Sequence, residues 1–357
     1  MNSIQDDSLI IRTWHEITIN ALQARATDIH IEAGSQETLV RIRVDGLLEL
    51  LSRYPAAIHE RLLTRIKILA RLDIAEKRLP QDGRLTVGLD FSKPNIDCRV
   101  SILPTLYGEK AVVRILPNKM DDLSLDRLGL LPEQLAILRN AIHQANGLIL
   151  VTGPTGSGKT RTLYSCLKEL NKIERNLCSI EDPIEIRLAG INQVAYHPRA
   201  GLDFSSIIRA LLRQDPDVIM IGEIRDATTA QLAIQAAQTG HLVLSTLHTQ
   251  NAQGVLARLK SLGIDQESIN SCLHCVSSQR LVRMICQRCR NDINNTACQF
   301  CKGTRHFGRI GVHEVFNTAM LETLSPNHLN MQVAGMLHVK AGLIKESSLI
   351  SELGSWC

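Results

Sequence analysis

Aromatic residues are scarce in this sequence, with Phe, Tyr and Trp making up 3% of its 357 residues. Few flat platforms are therefore available for stacking unpaired bases. The formal net charge of +4 is small for this length and does not support a broad phosphate footprint. Direct nucleic-acid binding is not expected. No apolar run approaches the roughly 18 residues that signal a membrane-spanning helix. The start, MNSIQDDSLI, has no basic stretch followed by an apolar one, so no secretory signal is expected. Cysteine, by contrast, occurs ten times. Without a secretory context, these residues are expected to be free thiols and a metal site in the cytoplasm. The 44% hydrophobic and 21% charged composition is that of a soluble globular protein with room for two or three domains.

The most informative segment is Gly153-Pro154-Thr155-Gly156-Ser157-Gly158-Lys159-Thr160, a full G-x-x-x-x-G-K-[ST] phosphate loop. The apolar run Gly147 to Thr152 precedes it and reads as a buried strand. Leu163, Leu167 and Leu170 follow it at helical spacing. Strand, glycine loop and helix form the context this motif needs. The glycines let backbone N–H groups wrap a polyphosphate, and the helix N-terminus adds partial positive charge. Lys159 is placed to reach the β- and γ-phosphates, and Thr160 to offer its hydroxyl to Mg²⁺.

Val218-Ile219-Met220-Ile221-Gly222-Glu223 reads as a second buried strand with a carboxylate at its carboxyl end, where open α/β sheets bind ligands. Glu223 is a candidate Mg²⁺ ligand. Glu181, Asp182 and Glu185 cluster after another apolar segment. They form either a solvated turn or a site where a carboxylate polarises attacking water. His241 and His248 bracket a further apolar strand; they are candidate nucleotide contacts, both near the ligand edge only if that strand bends or is short, and their spacing does not suggest a metal pair. Cys286, Cys289, Cys298 and Cys301 form C-x₂-C-x₈-C-x₂-C, a pattern suited to a closed tetrahedral Zn²⁺ site. Cys272 and Cys275 form another close pair, in a segment that reads as helix, and are expected to be packed thiols.

Four regions are expected. Residues 1–116 form an N-terminal α+β domain. Its helices are expected near 17–26 and 57–72, its strands near 28–32, 39–44, 84–89, 96–103 and 110–116, and its turns at Asp45-Gly46 and 81–84. Residues 117–127 form a linker, 128–280 an α/β core of alternating strands and helices, and 281–357 a cysteine-bearing and then helical region.

These segments, in this order, resemble the secretion ATPase superfamily, which contains the motors of type II secretion, type IV pili and DNA-uptake pseudopili. The resemblance covers about four-fifths of the chain. It is carried by Ala26-Thr27-Asp28-Ile29-His30-Ile31-Glu32, Arg41 to Gly46 and Pro80 to Arg84. Glu181 to Glu185 resembles the family's Asp box, Asp215 to Asp226 its atypical Walker B, and Thr239 to Thr249 its His box. The resemblance implies a RecA-like core with a PAS-like N-terminal domain. It implies Glu185 as catalytic glutamate, Glu223 as the Mg²⁺-associated glutamate, and Arg99, Arg114, Arg209 and Arg213 as phosphate contacts. It also implies a homo-hexamer working with an inner-membrane platform protein, peripheral to the cytoplasmic membrane face. Arg161 departs from the family's usual threonine. Paired cysteines are similar to those of assembly and secretion motors, and the short N-terminal region resembles compact motors, including competence types. Two other readings are a nucleic-acid-binding zinc-ribbon protein and a nucleotide-sensing scaffold that barely turns over. Scarce aromatics weigh against the first, and the presence of both Glu185 and Glu223 against the second.

Overall fold

A computed structural model of the chain describes residues 2–88, 95–116, 123–249, 251–290, 298–317, 320 and 329–354, with side chains from residue 8 onward. It divides into two compact units, Met1–Met120 and Asp121–Cys357. Residues 117–122 of the expected linker lie outside the described residues. Residues 125–127 form a short 3₁₀ turn. No helix among the described residues is long and apolar enough to cross a membrane.

The first unit runs α1 (Asn2–Gln23), β1 (Asp28–Ala33), β2 (Glu37–Val44), β3 (Leu47–Pro55), α2 (Ala56–Ala70), β4 (Gln81–Val87), β5 (Ile96–Thr105) and β6 (Gly108–Ile115). Its sheet has the order β3-β2-β1-β6-β5-β4, and all neighbours are antiparallel. One face carries Ile29, Ile31, Val40, Ile42, Val100 and Val113, which pack with Ile17 of α1 and Leu62 and Ile66 of α2. Helix α1 starts well before the expected residue 17. Its buried Ile10, Trp14, Ile17 and Ala21 recur at the helical spacing that builds one apolar stripe. Strand β3 was not expected, because Leu47-Leu48-Glu49-Leu50-Leu51 lacks a two-residue alternation. Nor is residue 83 in a turn. Gly83 pairs with Val100 inside β4, and a Cβ there would lie 2.8 Å from the Leu72 side chain and 2.9 Å from the Ala70 carbonyl. Close approach of the end of α2 requires the glycine, not a chain reversal.

The second unit begins with α3 (Pro132–Ile142) and β7 (Gly147–Thr152), followed by α4 (Lys159–Leu170), β8 (Leu177–Glu181), β9 (Asn192–Ala195) and α5 (Phe204–Leu211). It continues with β10 (Val218–Ile221), α6 (Ala227–Gln238), β11 (Leu242–Leu247), α7 (Gln253–Ser261) and α8 (Gln266–Cys272). The last elements are β12 (Leu273–Ile285), β13 (His306–Asn317), α9 (Met331–Lys340) and α10 (Glu346–Leu353). The sheet order is β13-β12-β7-β11-β10-β8-β9. Only the β12–β13 pair is antiparallel. Every residue of β7, β8, β10 and β11 is buried, as expected for parallel strands covered on both faces.

The sequence expectation fails most beyond residue 272. Strand β12 runs straight through the expected boundary at 280, and β13 returns beside it, so both extend the core sheet. The segment was not readable as a strand because Ser277, Ser278 and Gln279 are polar yet buried. Cys272 ends α8 and Cys275 lies in β12, so the pair spans a helix–strand junction instead of sitting in a helix. Both thiols are packed as expected, and burial pushes them up to about 11 and about 12 respectively.

Two histidines pin the entry to α3. His313 Nε2 donates to the Leu128 carbonyl at 3.1 Å, and His338 Nε2 to the adjacent Gly129 carbonyl at 2.9 Å. Burial holds His313 down to about 4 and lowers His338 as well. In the unfolded chain both titrate near 6.5, so between about pH 6.5 and 4 the unfolded state binds more protons. The neutral-histidine contribution is whole above about pH 6.5 and is lost as pH falls below it, at up to about 1.4 kcal/mol per pH unit from His313, with His338 adding in the same direction. Urea unfolding at a series of pH values should show this slope, and His313→Gln should flatten it. An unchanged slope in His313→Gln would exclude His313 as the source.

Candidate functional site

The loop Gly153 to Gly158 leaves the carboxyl end of β7 and enters α4 at Lys159. Gly158 occupies the N-cap position with φ +92° and provides no side-chain cap. The first-turn N–H groups of α4 are thus left for another acceptor. A Cβ on Gly153 would lie 2.5 Å from the Gln279 carbonyl oxygen and 2.6 Å from Ser157 Oγ, so only glycine fits between the loop and β12. Ser157 Oγ is buried and has no hydrogen-bond partner among the described residues. Lys159 Nζ folds back to donate to the Gly153 and Pro154 carbonyls at 2.8 and 3.0 Å. Burial lowers its pKa, while the Glu223 carboxylate opposes that shift. An uncapped helix start, an orphaned buried hydroxyl and a half-buried ammonium fit a polyphosphate, with Pro154, Thr155 and Gly156 exposed around it.

The carboxyl ends of β8, β10 and β11 supply the facing groups. Glu223 follows β10, and Arg225 bonds it while also reaching Asp182 at 3.4 Å. His248, just past β11, approaches Glu223 Oε2 with Nε2 at 3.3 Å. Burial opposes ionisation of Glu223, but Arg225 and His248 outweigh it, and its carboxyl sits below the usual range. Thr160 and Glu223 carry oxygens suited to Mg²⁺ at this edge.

The acidic cluster separates into distinct environments. Glu181 is buried and accepts from Tyr164 Oη, from Ser179 Oγ at 2.6 Å and from Gln193 Nε2 at 3.0 Å. Burial and the Glu181 charge raise Tyr164, keeping its hydroxyl protonated. That hydroxyl accepts in turn from the amides of Glu185 at 3.3 Å and Ile186 at 3.4 Å. The loop carrying the exposed Glu185 is thereby tied to the helix that follows the phosphate loop. Tyr164 was missed because it sits among the apolar positions of α4 and reads as core.

His241 does not join this group. It stands at the amino end of β11, where its carbonyl accepts from Gly147 N at 3.1 Å and its Nδ1 meets the Ala236 carbonyl at 3.0 Å. Strand β11 runs in regular parallel register with β7 from Leu242–Gly147 to Leu247–Thr152, so His241 and the phosphate loop lie at opposite edges of the sheet. Arg161 is exposed on the first turn of α4. Arg209 is exposed on α5 and Arg213 just beyond that helix, where Arg213 Nη1 donates to the Arg209 carbonyl at 2.7 Å. Arg99 and Arg114 belong to the first unit, directly opposite each other on β5 and β6, and Arg114 pairs with Asp28 at 2.8 Å.

Cys286, Cys289, Cys298 and Cys301 are all buried at the end of the β12–β13 hairpin, with their sulfurs within 4.8 Å of one another. Cys286 and Cys298 are 4.0 Å apart, and Cys289 and Cys301 3.6 Å. Four sulfurs about 2.3 Å from a tetrahedral Zn²⁺ are separated by roughly 3.8 Å, so the donor set fits that ion. Residues 291–297 between the pairs lie outside the described residues.

A family model described as type II/IV secretion system protein matches residues 3–347. The protein transport protein HofB homolog of Haemophilus influenzae is 43% identical over 350 residues, covering 98% of this chain and 74% of that protein. The type IV pilus assembly ATPase PilB of Myxococcus xanthus is 41% identical over 339 residues, covering 88% of this chain and 60% of its own length. Among solved structures, the Legionella pneumophila ATPase DotB aligns with a TM-score of 0.72 over 93% of both chains at 20% identity, a likeness of fold. The core is the expected RecA-like α/β fold. By the extent of the family match and these identities, the chain belongs to the type II/IV secretion system protein family.

Proposed function

We propose that this chain hydrolyses ATP at the phosphate loop and that the turnover powers assembly of a type IV pilus, a competence pseudopilus or a type II secretion pseudopilus. The observation that carries the reading is the convergence of Lys159, Glu223, Arg225 and His248 at one edge of the core sheet. Loop N–H groups and Lys159 hold the phosphates. Thr160 and Glu223 hold Mg²⁺, which when bound offsets phosphate charge. Glu185 takes the proton of the attacking water, and His248 keeps Glu223 oriented. The pilus-assembly name of one relative supports the filament role. The proposed working form is a homo-hexamer at the cytoplasmic face of the inner membrane, acting on a platform protein.

Lys159→Ala should weaken nucleotide binding about tenfold or more, through loss of charge-assisted phosphate contacts, and abolish turnover. Glu185→Gln should bind nucleotide normally yet turn over about a hundredfold or more slower, because an amide is a poor base. Wild-type turnover in Glu185→Gln beside a dead Lys159→Ala would reassign the catalytic carboxylate.

We also infer one Zn²⁺ per chain, held by the four clustered thiolates. Metal analysis of the purified protein should give one equivalent. Cys289→Ser should lose it and lower the unfolding midpoint, because binding free energy at such a site is also folding free energy. Protein without zinc and with four freely titrating thiols would refute the site.

Arg99 and Arg114 are proposed to complete the phosphate site from the first unit, with Arg209 and Arg213 as further phosphate contacts. ATP would then favour closure of the first unit on the core, and hydrolysis would release it. Alanine at Arg99 or Arg114 should lower turnover about tenfold while changing nucleotide affinity less. Full activity in both variants, or turnover unaffected by dilution to monomer, would remove closure in a ring from the mechanism.

A further inference from the structure

We propose that Gln279 is a positioning residue of the phosphate loop. The inference rests on the loop being the nucleotide site, as read above. Strand β12 lies beside β7 with Ser278 opposite Thr152, so Gln279 stands level with the first loop residue, Gly153. Gln279 is 2% exposed and both ends of its side-chain amide are used. Nε2 donates to the Ser157 carbonyl at 2.7 Å, and Oε1 accepts from Thr162 Oγ1 at 2.8 Å. The Gln279 backbone carbonyl is also the atom that a Cβ on Gly153 would meet. One residue therefore meets the loop at its start, near its end and one turn into α4.

The chemical consequence follows from the planar trans peptide. In the Ser157–Gly158 unit, C=O and N–H point in opposite directions. Holding the Ser157 oxygen toward the Gln279 amide turns the Gly158 N–H away from it. Without the Gln279 donor, a buried carbonyl loses its partner and this peptide plane is free to rotate. The Thr162 hydroxyl fixes which end of the amide faces which partner, so Thr162 acts through Gln279. Because the loop holds phosphates alike before and during reaction, the effect belongs mainly to binding and only weakly to the chemical step.

The test uses the full chain and titrates a fluorescent ADP and a non-hydrolysable ATP analogue. Gln279→Glu keeps the shape and still accepts from Thr162, but as a carboxylate has no proton to donate to Ser157. It should weaken both nucleotides by about tenfold or more, the loss of a buried hydrogen bond expressed as affinity. KM should rise in parallel, with kcat held within about twofold. Gln279→Met adds no buried charge, should weaken both nucleotides similarly, and carries the test if Gln279→Glu does not fold. Thr162→Val should have a smaller effect, about threefold, since the Ser157 contact survives. A purely structural role would instead lower the nucleotide-free unfolding midpoint and leave the affinity of folded protein unchanged. That outcome, or a loss confined to kcat, overturns the proposal. Lys159→Ala in the same titration separates the two readings: if it too binds like wild type, the phosphate-loop assignment fails, not the role of Gln279.

Discussion

Strands β7, β8, β10 and β11 expose no side chain on either face, and this burial leaves polar chemistry only their ends. Along the strands, a charged group loses its hydration and is stable only where neighbouring donors replace it. At the carboxyl ends the chain turns, and backbone N–H groups and short side chains become available together. The phosphate loop follows β7, Asp182 follows β8, Glu223 follows β10 and His248 follows β11. The sheet thus gathers residues distant in sequence, and its rigidity fixes their separations.

The charges at this edge are balanced by contact. Glu223 is ionised against its own burial because Arg225 and His248 adjoin it. Arg225 also reaches Asp182, so one guanidinium links the ends of two adjacent strands. Glu181 is handled differently. It lies one residue earlier, inside the sheet layer, and three neutral donors hold it. Two neighbouring carboxylates therefore serve separate ends: Glu181 ties α4 to the loop bearing Glu185, and Asp182 joins the surface ion-pair group.

What the sequence made legible depended on whether local chemistry matched tertiary use. The phosphate loop was readable because glycine, lysine and threonine spacing is dictated by the anion itself. Strands β7 and β10 were readable because burial on both faces leaves unbroken apolar runs. The four-cysteine cluster was readable because two close pairs are what a tetrahedral ion requires. Strand β12 was hidden by Ser277, Ser278 and Gln279, whose polarity serves neighbours far along the chain instead of solvent. Gly83 resembled a turn because a glycine needed for close packing has the same letter as one needed for chain reversal. His241 was grouped with His248 by adjacency across one strand, yet six residues of extended chain carry them to opposite edges of the sheet.

The position of β12 also bears on synthesis of the chain. β7 lies between β11 and β12 in the sheet, and the clamp on Ser157 comes from a residue 122 positions later. At bacterial-like elongation rates of about 5–20 residues per second, the loop precedes its clamp by roughly 6 to 24 seconds. Until then, one edge of Leu148-Ile149-Leu150-Val151 is an apolar strand with open hydrogen-bonding groups, the kind of edge that pairs with other chains. The nascent protein therefore passes through an interval in which a strand destined for burial has one edge open to other chains, and completion of the sheet ends that interval.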